Sequence, residues 1–256
     1  MARPKKDPIE KVRVQTLMTA IHDETDLPLK GYSFEKFFEP ASMVIHPISR
    51  AVKRSCKWDR YIKNGVTPGQ HNLDRIKKKC PWAYSIYDSP LWVAMKTIPV
   101  PNGYWESFIS TLDLEAKSLA FEFLANPKFI YRTRSHYEKE PIYKLIRKGD
   151  EQSMAALFGL YRHYLAQENF LLLDIVETHL YNLIFNFLSR TPYYHHANNI
   201  FSLLFHRILN FQRPSYMREA PSWPSEPNKL IDIIWIEQKN QRISNDLVLT
   251  STVYQS

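Results

Sequence analysis

The chain has 256 residues, of which 44% are apolar, 23% charged and 14% aromatic, the balance of a folded globular protein. Its six glycines favour helices over a turn-rich β architecture, and its two cysteines are too few for a disulfide framework. The formal net charge of +8 makes negatively charged partners the first class to consider.

The N-terminal part of the chain predicts two helices of a small domain. Pro8 suits the first turn of a helix whose apolar spacing continues to about residue 24. Ser33 is a candidate cap for a short helix at residues 34–39, and Pro40 ends it. The residues before Pro8 are basic and polar and show no secretory leader, so we expect a cytoplasmic protein.

Residues 50–79 carry the charge of the whole molecule. They contain ten Lys and Arg against two acids, a formal charge of +8 that equals the net charge of the chain. Residues 1–98 as a whole hold 18 Lys and Arg against 10 acids, whereas residues 99–256 hold 16 of each. Because only the first part would attract a polyanion, nucleic acid is the partner that the charge favours.

Two helices are predicted within this basic segment. The first covers about residues 49–63, with Arg50, Lys53, Arg54, Lys57, Tyr61 and Asn64 along one face and Ala51, Ser55, Trp58 and Ile62 along the buried one. Asn64-Gly65 ends it, since Gly suits the left-handed position after the last turn. The second covers about residues 69–79, with Leu73, Ile76 and Cys80 facing the core.

This pair of helices resembles the second half of the Cro/phage-repressor type of helix-turn-helix domain. There, a recognition helix ends in an apolar residue, a polar pair and Gly, and a Pro-containing turn leads to a helix with a spaced Leu and aliphatic residue. The corresponding residues here are Ile62, Lys63-Asn64, Gly65, Pro68, Leu73 and Ile76. Residues 40–47 intervene where the family has a tight turn after the preceding helix. The resemblance implies a DNA-binding helix at about residues 49–63.

The rest of the chain predicts a helical bundle. Two prolines and Asn-Gly in residues 98–103 mark a boundary between domains at 1–98 and 99–256. Apolar spacing after the boundary predicts helices near residues 104–125, 139–148, 150–166, 168–190, 197–212 and 228–239, and residues 247–254 are a candidate strand. We read the apolar segment 170–188, interrupted by Asp174 and Glu177, as a buried helix rather than a membrane span.

A second hypothesis comes from Arg190 followed by His195 and His196. Arg-x4-His within a helical domain resembles the short motif of the HEPN ribonucleases, which implies that His would act as general acid or base and Arg would stabilise phosphate charge. The alternative is a polar turn between two helices. No Gly-rich phosphate loop, HExxH, GxSxG or paired CxxC occurs in the sequence.

The favoured hypothesis is a mainly α DNA-binding protein, a regulator of transcription or of a mobile element, with a small N-terminal helix-turn-helix-like domain and a C-terminal helical bundle. We expect a homodimer with DNA as partner, RNA as the alternative, no cofactor, metal or membrane, and a protein or effector on the second domain. A basic face that meets an acidic protein or a membrane surface is a third alternative. The expected nucleic-acid-binding residues are Arg50, Lys53, Arg54, Lys57, Arg60, Lys63, Arg75, Lys77, Lys78 and Lys79.

Overall fold

The computed structural model describes residues 7–45, 52–96, 101, 103–123, 131–133 and 139–204. Within these ranges the protein is mainly helical, as predicted, with two short antiparallel strand pairs. The helices are α1 (Pro8–Thr25), α2 (Gly31–Phe38), α3 (Lys57–Asn64), α4 (Gln70–Lys79), α5 (Pro81–Tyr87), α6 (Leu91–Ala94), α7 (Tyr104–Ser110), α8 (Leu114–Ala120), α9 (Lys139–Lys148), α10 (Glu151–Ala166), α11 (Phe170–Leu188) and α12 (Ala197–Leu204). The strands are β1 (Val44–Ile45), β2 (Val52–Lys53), β3 (Phe121–Phe123) and β4 (Tyr131–Thr133), paired β1 with β2 and β3 with β4.

The chain forms two compact units. The first is Met1–Ile98 with Thr191–Leu203, and the second is Pro99–Arg190 with Leu204–Ser256. The sequence-based division into 1–98 and 99–256 leaves residues 191–203 in the C-terminal half, whereas the structure places them in the first unit. The reason is packing: the buried ring of Tyr193 lies 6.1 Å from that of Trp92.

Helix α1 is the centre of the first unit. Asp7 caps it by accepting the N–H of Ile9 at 3.1 Å, and Pro8 occupies its first turn, where its missing N–H costs nothing. Its apolar side chains are fully buried against α3 and α5. Helix α1 therefore packs against the buried face of the basic helix α3.

Trp58 joins α3 to α2. Its side chain is fully buried, stacks on Phe38 with ring centroids 4.7 Å apart, and meets the edge of Phe34 at 6.0 Å. Such aromatic pairs add to the free energy of burying their area. The predicted inward position of Trp58 is confirmed, and it fixes which side of α3 faces the core.

The predicted helix over residues 49–63 is wrong in its first half. Helix α3 begins only at Lys57: Lys53 lies in β2, paired with Val44, and Cys56 adopts the left-handed conformation at φ 53°. Tyr61, predicted on the cationic face, is instead buried. The non-helical segment before α3 is held by a hydrogen bond from Ser55 to Glu35 of α2, a contact that local spacing does not reveal.

Two smaller predictions in this unit have different outcomes. Ser33 does not cap α2, because the helix begins at Gly31 and Lys30 occupies the capping position. Helix α4 has the predicted bounds to within a residue, and Leu73, Ile76 and Cys80 are buried as predicted. The other cysteine, Cys56, is exposed.

The second unit is built on α10, which packs against α7, α8, α9 and α11. Gly159 lets α7 approach, since a Cβ at this position would lie 2.7 Å from Cγ1 of Ile109. The helix predicted over residues 104–125 is interrupted at residues 111–113, where Asp113 caps α8 by accepting the N–H of Ala116, and the chain then enters β3. The helices predicted at 139–148 and 150–166 are confirmed as α9 and α10.

Helix α11 is long and apolar enough to cross a membrane, judged by length and composition alone. More than two-thirds of its most apolar stretch is buried within the protein, which is also typical of a core helix. The helix predicted at 197–212 is described as far as Leu204. The helix predicted at 228–239 and the strand at 247–254 lie outside the described residues.

Candidate nucleic-acid interface

Glu35 of α2 is a buried carboxylate that binds the start of the basic segment. Its side chain is fully buried, accepts the N–H of Ser55 at 2.8 Å and pairs with Arg54 at 3.3 Å. Arg54 also donates to Asp59 at 2.8 Å. The N–H of Ser55 and the guanidinium of its neighbour Arg54 thus both bind a carboxylate about twenty residues earlier in the chain, outside any helix of their own.

The charge of Glu35 is maintained by these contacts. Burial works to raise the pKa of the Glu35 carboxyl, but the hydrogen bonds from Ser55 and Arg54 outweigh it and hold the pKa below its usual value. An ionised carboxylate without such partners would be costly inside the unit. Arg54, which we expected to contact DNA, thus has a partner inside the protein.

Glu39, immediately after α2, binds two more of the expected cations. Its side chain is 5% exposed, and Lys57 Nζ lies 2.6 Å from its Oε1. Arg75 of α4 forms a second ion pair with the same carboxylate. Glu39 therefore connects the beginning of α3 to the middle of α4 through charge-assisted hydrogen bonds.

Four of the expected cations are exposed and form no salt bridge among the described residues. They are Arg60, Lys63, Lys77 and Lys78. On α3 they lie on the side away from Trp58. On α4, Lys78 lies opposite Ile76, and Lys77 lies at the edge of the buried face. Both helices thus bury one face and present cations on the other.

The remaining expected residues differ from these four. Lys79 is exposed but donates to the carbonyl of Phe37 at 2.5 Å and lies 4.5 Å from the Phe37 ring centroid. A similar ring contact occurs for one of the four exposed cations, Lys77, whose Nζ lies 5.2 Å from the ring centroid of Tyr84. Lys53 lies in β2, and Arg50 is outside the described residues.

The end of α3 is fixed by glycine and by a glutamine of α1. Gly65 takes φ 60°, and its N–H donates to the carbonyl of Tyr61 at 3.1 Å. Gln15 Nε2 donates to the carbonyls of Ile62 and Lys63 at 3.3 and 3.2 Å, which satisfies acceptors that a helix end otherwise exposes. These contacts position the backbone that carries Arg60 and Lys63.

Comparison with models of known protein families, with curated proteins and with solved structures finds no match for this chain.

Arg190 and the two histidines lie in different units of the structure. Arg190 belongs to the second unit, where its guanidinium donates to the carbonyl of Gly149 at 2.7 Å and caps the end of α9. His195 and His196 belong to the first unit, in the 3-10 turn Tyr193–His196. This hydrogen bond joins the segment after α11 to the end of α9 within the second unit.

His196 has a structural partner on α1. Its Nε2 lies 2.9 Å from Oγ1 of Thr19. Burial, together with the neighbouring His195, lowers the pKa of His196 to about 4, so the ring is uncharged at neutral pH.

Within the described ranges, no group of three or more His, Cys, Asp or Glu side chains is arranged to hold a metal ion. The described parts of α3 and α4 carry the exposed cations Arg60, Lys63, Lys77 and Lys78.

Proposed function

We propose that the first unit binds DNA through the exposed cations of α3 and α4. The observation that supports this most is that Arg60, Lys63, Lys77 and Lys78 are exposed and form no salt bridge with the acids of the described residues, while the other faces of their helices are buried. Cations held apart from acids at a surface are available to phosphates, and each phosphate contact releases condensed counterions.

The distribution of charge supports a polyanionic partner. The net charge of +8 lies entirely in residues 1–98, and residues 99–256 sum to zero. Glu35 of α2 and Glu39 after it form ion pairs with three cations, so the exposed face keeps fewer unpaired cations than the sequence suggests. The proposed binding face is correspondingly smaller and centred on the second half of α3 and the end of α4.

The helix-turn-helix resemblance is carried into the proposal with revised roles. Helix α3 is the candidate for the major groove, with Arg60, Lys63 and Asn64 on its exposed side, and Lys77 and Lys78 would contact phosphates. Arg54, Lys57 and Arg75 would instead hold the helices together. We further propose that the protein acts as a cytoplasmic regulator and as a homodimer on paired half-sites, with the second unit contacting a partner.

The experiment is a mobility-shift assay on duplex DNA at low salt. The double variant Lys77→Glu/Lys78→Glu is expected to lose retention, because two attractive contacts become repulsive. A matched control is Lys144→Glu/Arg147→Glu, which makes the same change of charge at exposed residues of α9 in the second unit. Equal retention of the two variants would contradict the proposal.

Charge reversal at Arg54 or Lys57 is a poorer test. Both residues bind carboxylates of α2 or its end, so reversing them would place like charges together beside a buried carboxylate. Loss of retention in such a variant would follow from unfolding as well as from loss of DNA contacts.

A further inference from the structure

A cavity of about 290 Å³ opens in the first unit between the start of α2 and the exposed side of α3. The turn before α2 and its first residues supply one wall through Leu29, Lys30 and Tyr32. Ile62 and Lys63 supply the other wall. Its volume is at the small end of the range for ligand sites, which suits one planar ring and an attached group rather than a longer segment.

The cavity carries excess positive charge. Arg54 lines it but is neutralised by Asp59, which also lines it, at 2.8 Å. Lys30 and Lys63 are exposed at its walls and form no salt bridge with the acids of the described ranges. The two ammonium groups therefore attract an anion to the cavity.

The start of α2 is not the group that attracts this anion. A Cβ at Gly31 would lie 2.4 Å from Cγ of Asp59, so the Asp59 carboxylate already lies against the first residue of the helix. That carboxylate occupies the place where an anion would meet the helix N-terminus. Binding must rely on the side chains of Lys30 and Lys63.

An exposed aromatic ring accompanies the two cations. Tyr32 is 43% exposed and Leu29 is 42% exposed, so both side chains are open to solvent at the edge of the cavity. The Arg54 guanidinium carbon lies 5.5 Å from the Tyr32 ring centroid and orients the ring. An aromatic ring beside cations is the combination that binds unpaired nucleotides, with the base stacked on the ring and the phosphate on the cations.

We propose that this cavity binds one unpaired nucleotide of a DNA strand, with its base on Tyr32 and its phosphate between Lys30 and Lys63. The inference rests on the proposed DNA binding and adds a subsite for a single-stranded or distorted part of the target. Lys63 belongs both to the cavity and to the exposed side of α3, so a strand on α3 can continue into the cavity.

The test compares labelled oligo(dT) with duplex DNA by fluorescence anisotropy at low salt, using the full chain. Tyr32→Ala is expected to weaken oligo(dT) binding about tenfold, the effect of losing one stacked base, with duplex binding changed less than about twofold. Tyr32→Phe keeps the ring and should retain oligo(dT) binding. Lys30→Gln should also weaken binding, whereas the matched control Lys36→Gln, exposed on α2 away from the cavity, should not.

Three results would overturn the inference. The first is equal oligo(dT) affinity for Tyr32→Ala, Lys30→Gln and Lys36→Gln. The second is equal weakening of duplex and oligo(dT) binding by Tyr32→Ala. The third is binding of free thymidine monophosphate as tightly as the strand, which would assign the cavity to a free nucleotide. Duplex binding that still depends on Lys77 and Lys78 in any of these cases would leave the proposed function standing while the subsite fails.

Discussion

Lys57 Nζ lies 2.6 Å from Oε1 of Glu39, a carboxylate whose side chain is almost completely buried. A lysine that the sequence assigns to a DNA-binding face thus neutralises an acid inside the protein. The same carboxylate also binds Arg75, so one acid anchors α3 and α4 together. The division of the basic segment into cations that hold the fold and cations that remain exposed follows from this arrangement.

Removing the charge of Glu39 should destabilise the first unit. In Glu39→Gln, Lys57 and Arg75 lose their ionised partner in a partly buried place, and we expect the free energy of unfolding to fall by about 1–3 kcal/mol. Urea unfolding followed by Trp fluorescence measures it. The control is Asp74→Asn, which removes the same charge from an exposed residue of α4. Similar free energies for the two variants would show that the Glu39 ion pairs contribute nothing.

The Glu35 and Glu39 contacts also explain which parts of the fold the sequence predicts. Helix α4 lies between a Pro-Gly turn and a run of lysines before Pro81, all local signals, and its bounds are predicted to within a residue. The start of α3 depends on Ser55 and Arg54 binding a carboxylate twenty residues away, and spacing within a window cannot detect such a partner. The sequence does carry a signal for this partner: in FEKFFE, residues 34–39, Glu35 and Glu39 stand among aromatic residues that are expected to be buried.

The sequence likewise predicts one part of the candidate site and not the rest. Burial of Trp58, and with it the exposed position of Arg60 and Lys63, follows from helical periodicity. The loss of Arg54, Lys57 and Arg75 to internal ion pairs does not, because it needs the position of α2. The cavity at Tyr32 was missed for the same reason, since its two walls are about thirty residues apart in the chain.

Gly65→Ala should destabilise the protein strongly. Its φ of 60° disfavours any Cβ, and a Cβ there would lie 2.5 Å from the carbonyl oxygen of Lys11 in α1. Strain and the clash together should cost about 2–4 kcal/mol of unfolding free energy, measured by urea or thermal unfolding.

Gly69→Ala is the matched control for this change. Gly69 has φ −69°, and a Cβ added there would meet no atom within 4 Å. The variant should therefore stay within about 1 kcal/mol of the wild type. Equal stability of the Gly65 and Gly69 variants would contradict the packing of α3 on α1.

Acid should weaken the contact between α1 and the turn that carries His196. The pKa of His196 is lowered to about 4 in the folded protein from an ordinary value of 6.5, so between these values the unfolded chain binds more protons. The free energy of unfolding should therefore fall as the pH drops from 6.5 to 4, by about 3 kcal/mol from this residue at most.

The measurement is urea unfolding at several pH values across this range. His196→Gln should flatten the dependence, because the titrating group is gone while a hydrogen bond to Thr19 can still form. His71→Gln, an exposed histidine of α4, is the control and should keep the wild-type slope. The same slope in His196→Gln would show that His196 does not titrate with folding.

The salt dependence of duplex binding tests the central claim most directly. Each lost phosphate contact should reduce the slope of log K against log salt by about 0.9, so Lys77→Gln/Lys78→Gln should lower it by about 1.8. Lys144→Gln/Arg147→Gln in the second unit should leave the slope of the intact protein unchanged. Affinity that does not depend on salt, or one slope shared by both variants, would contradict the assignment of the exposed cations of α3 and α4 to a nucleic-acid phosphate backbone.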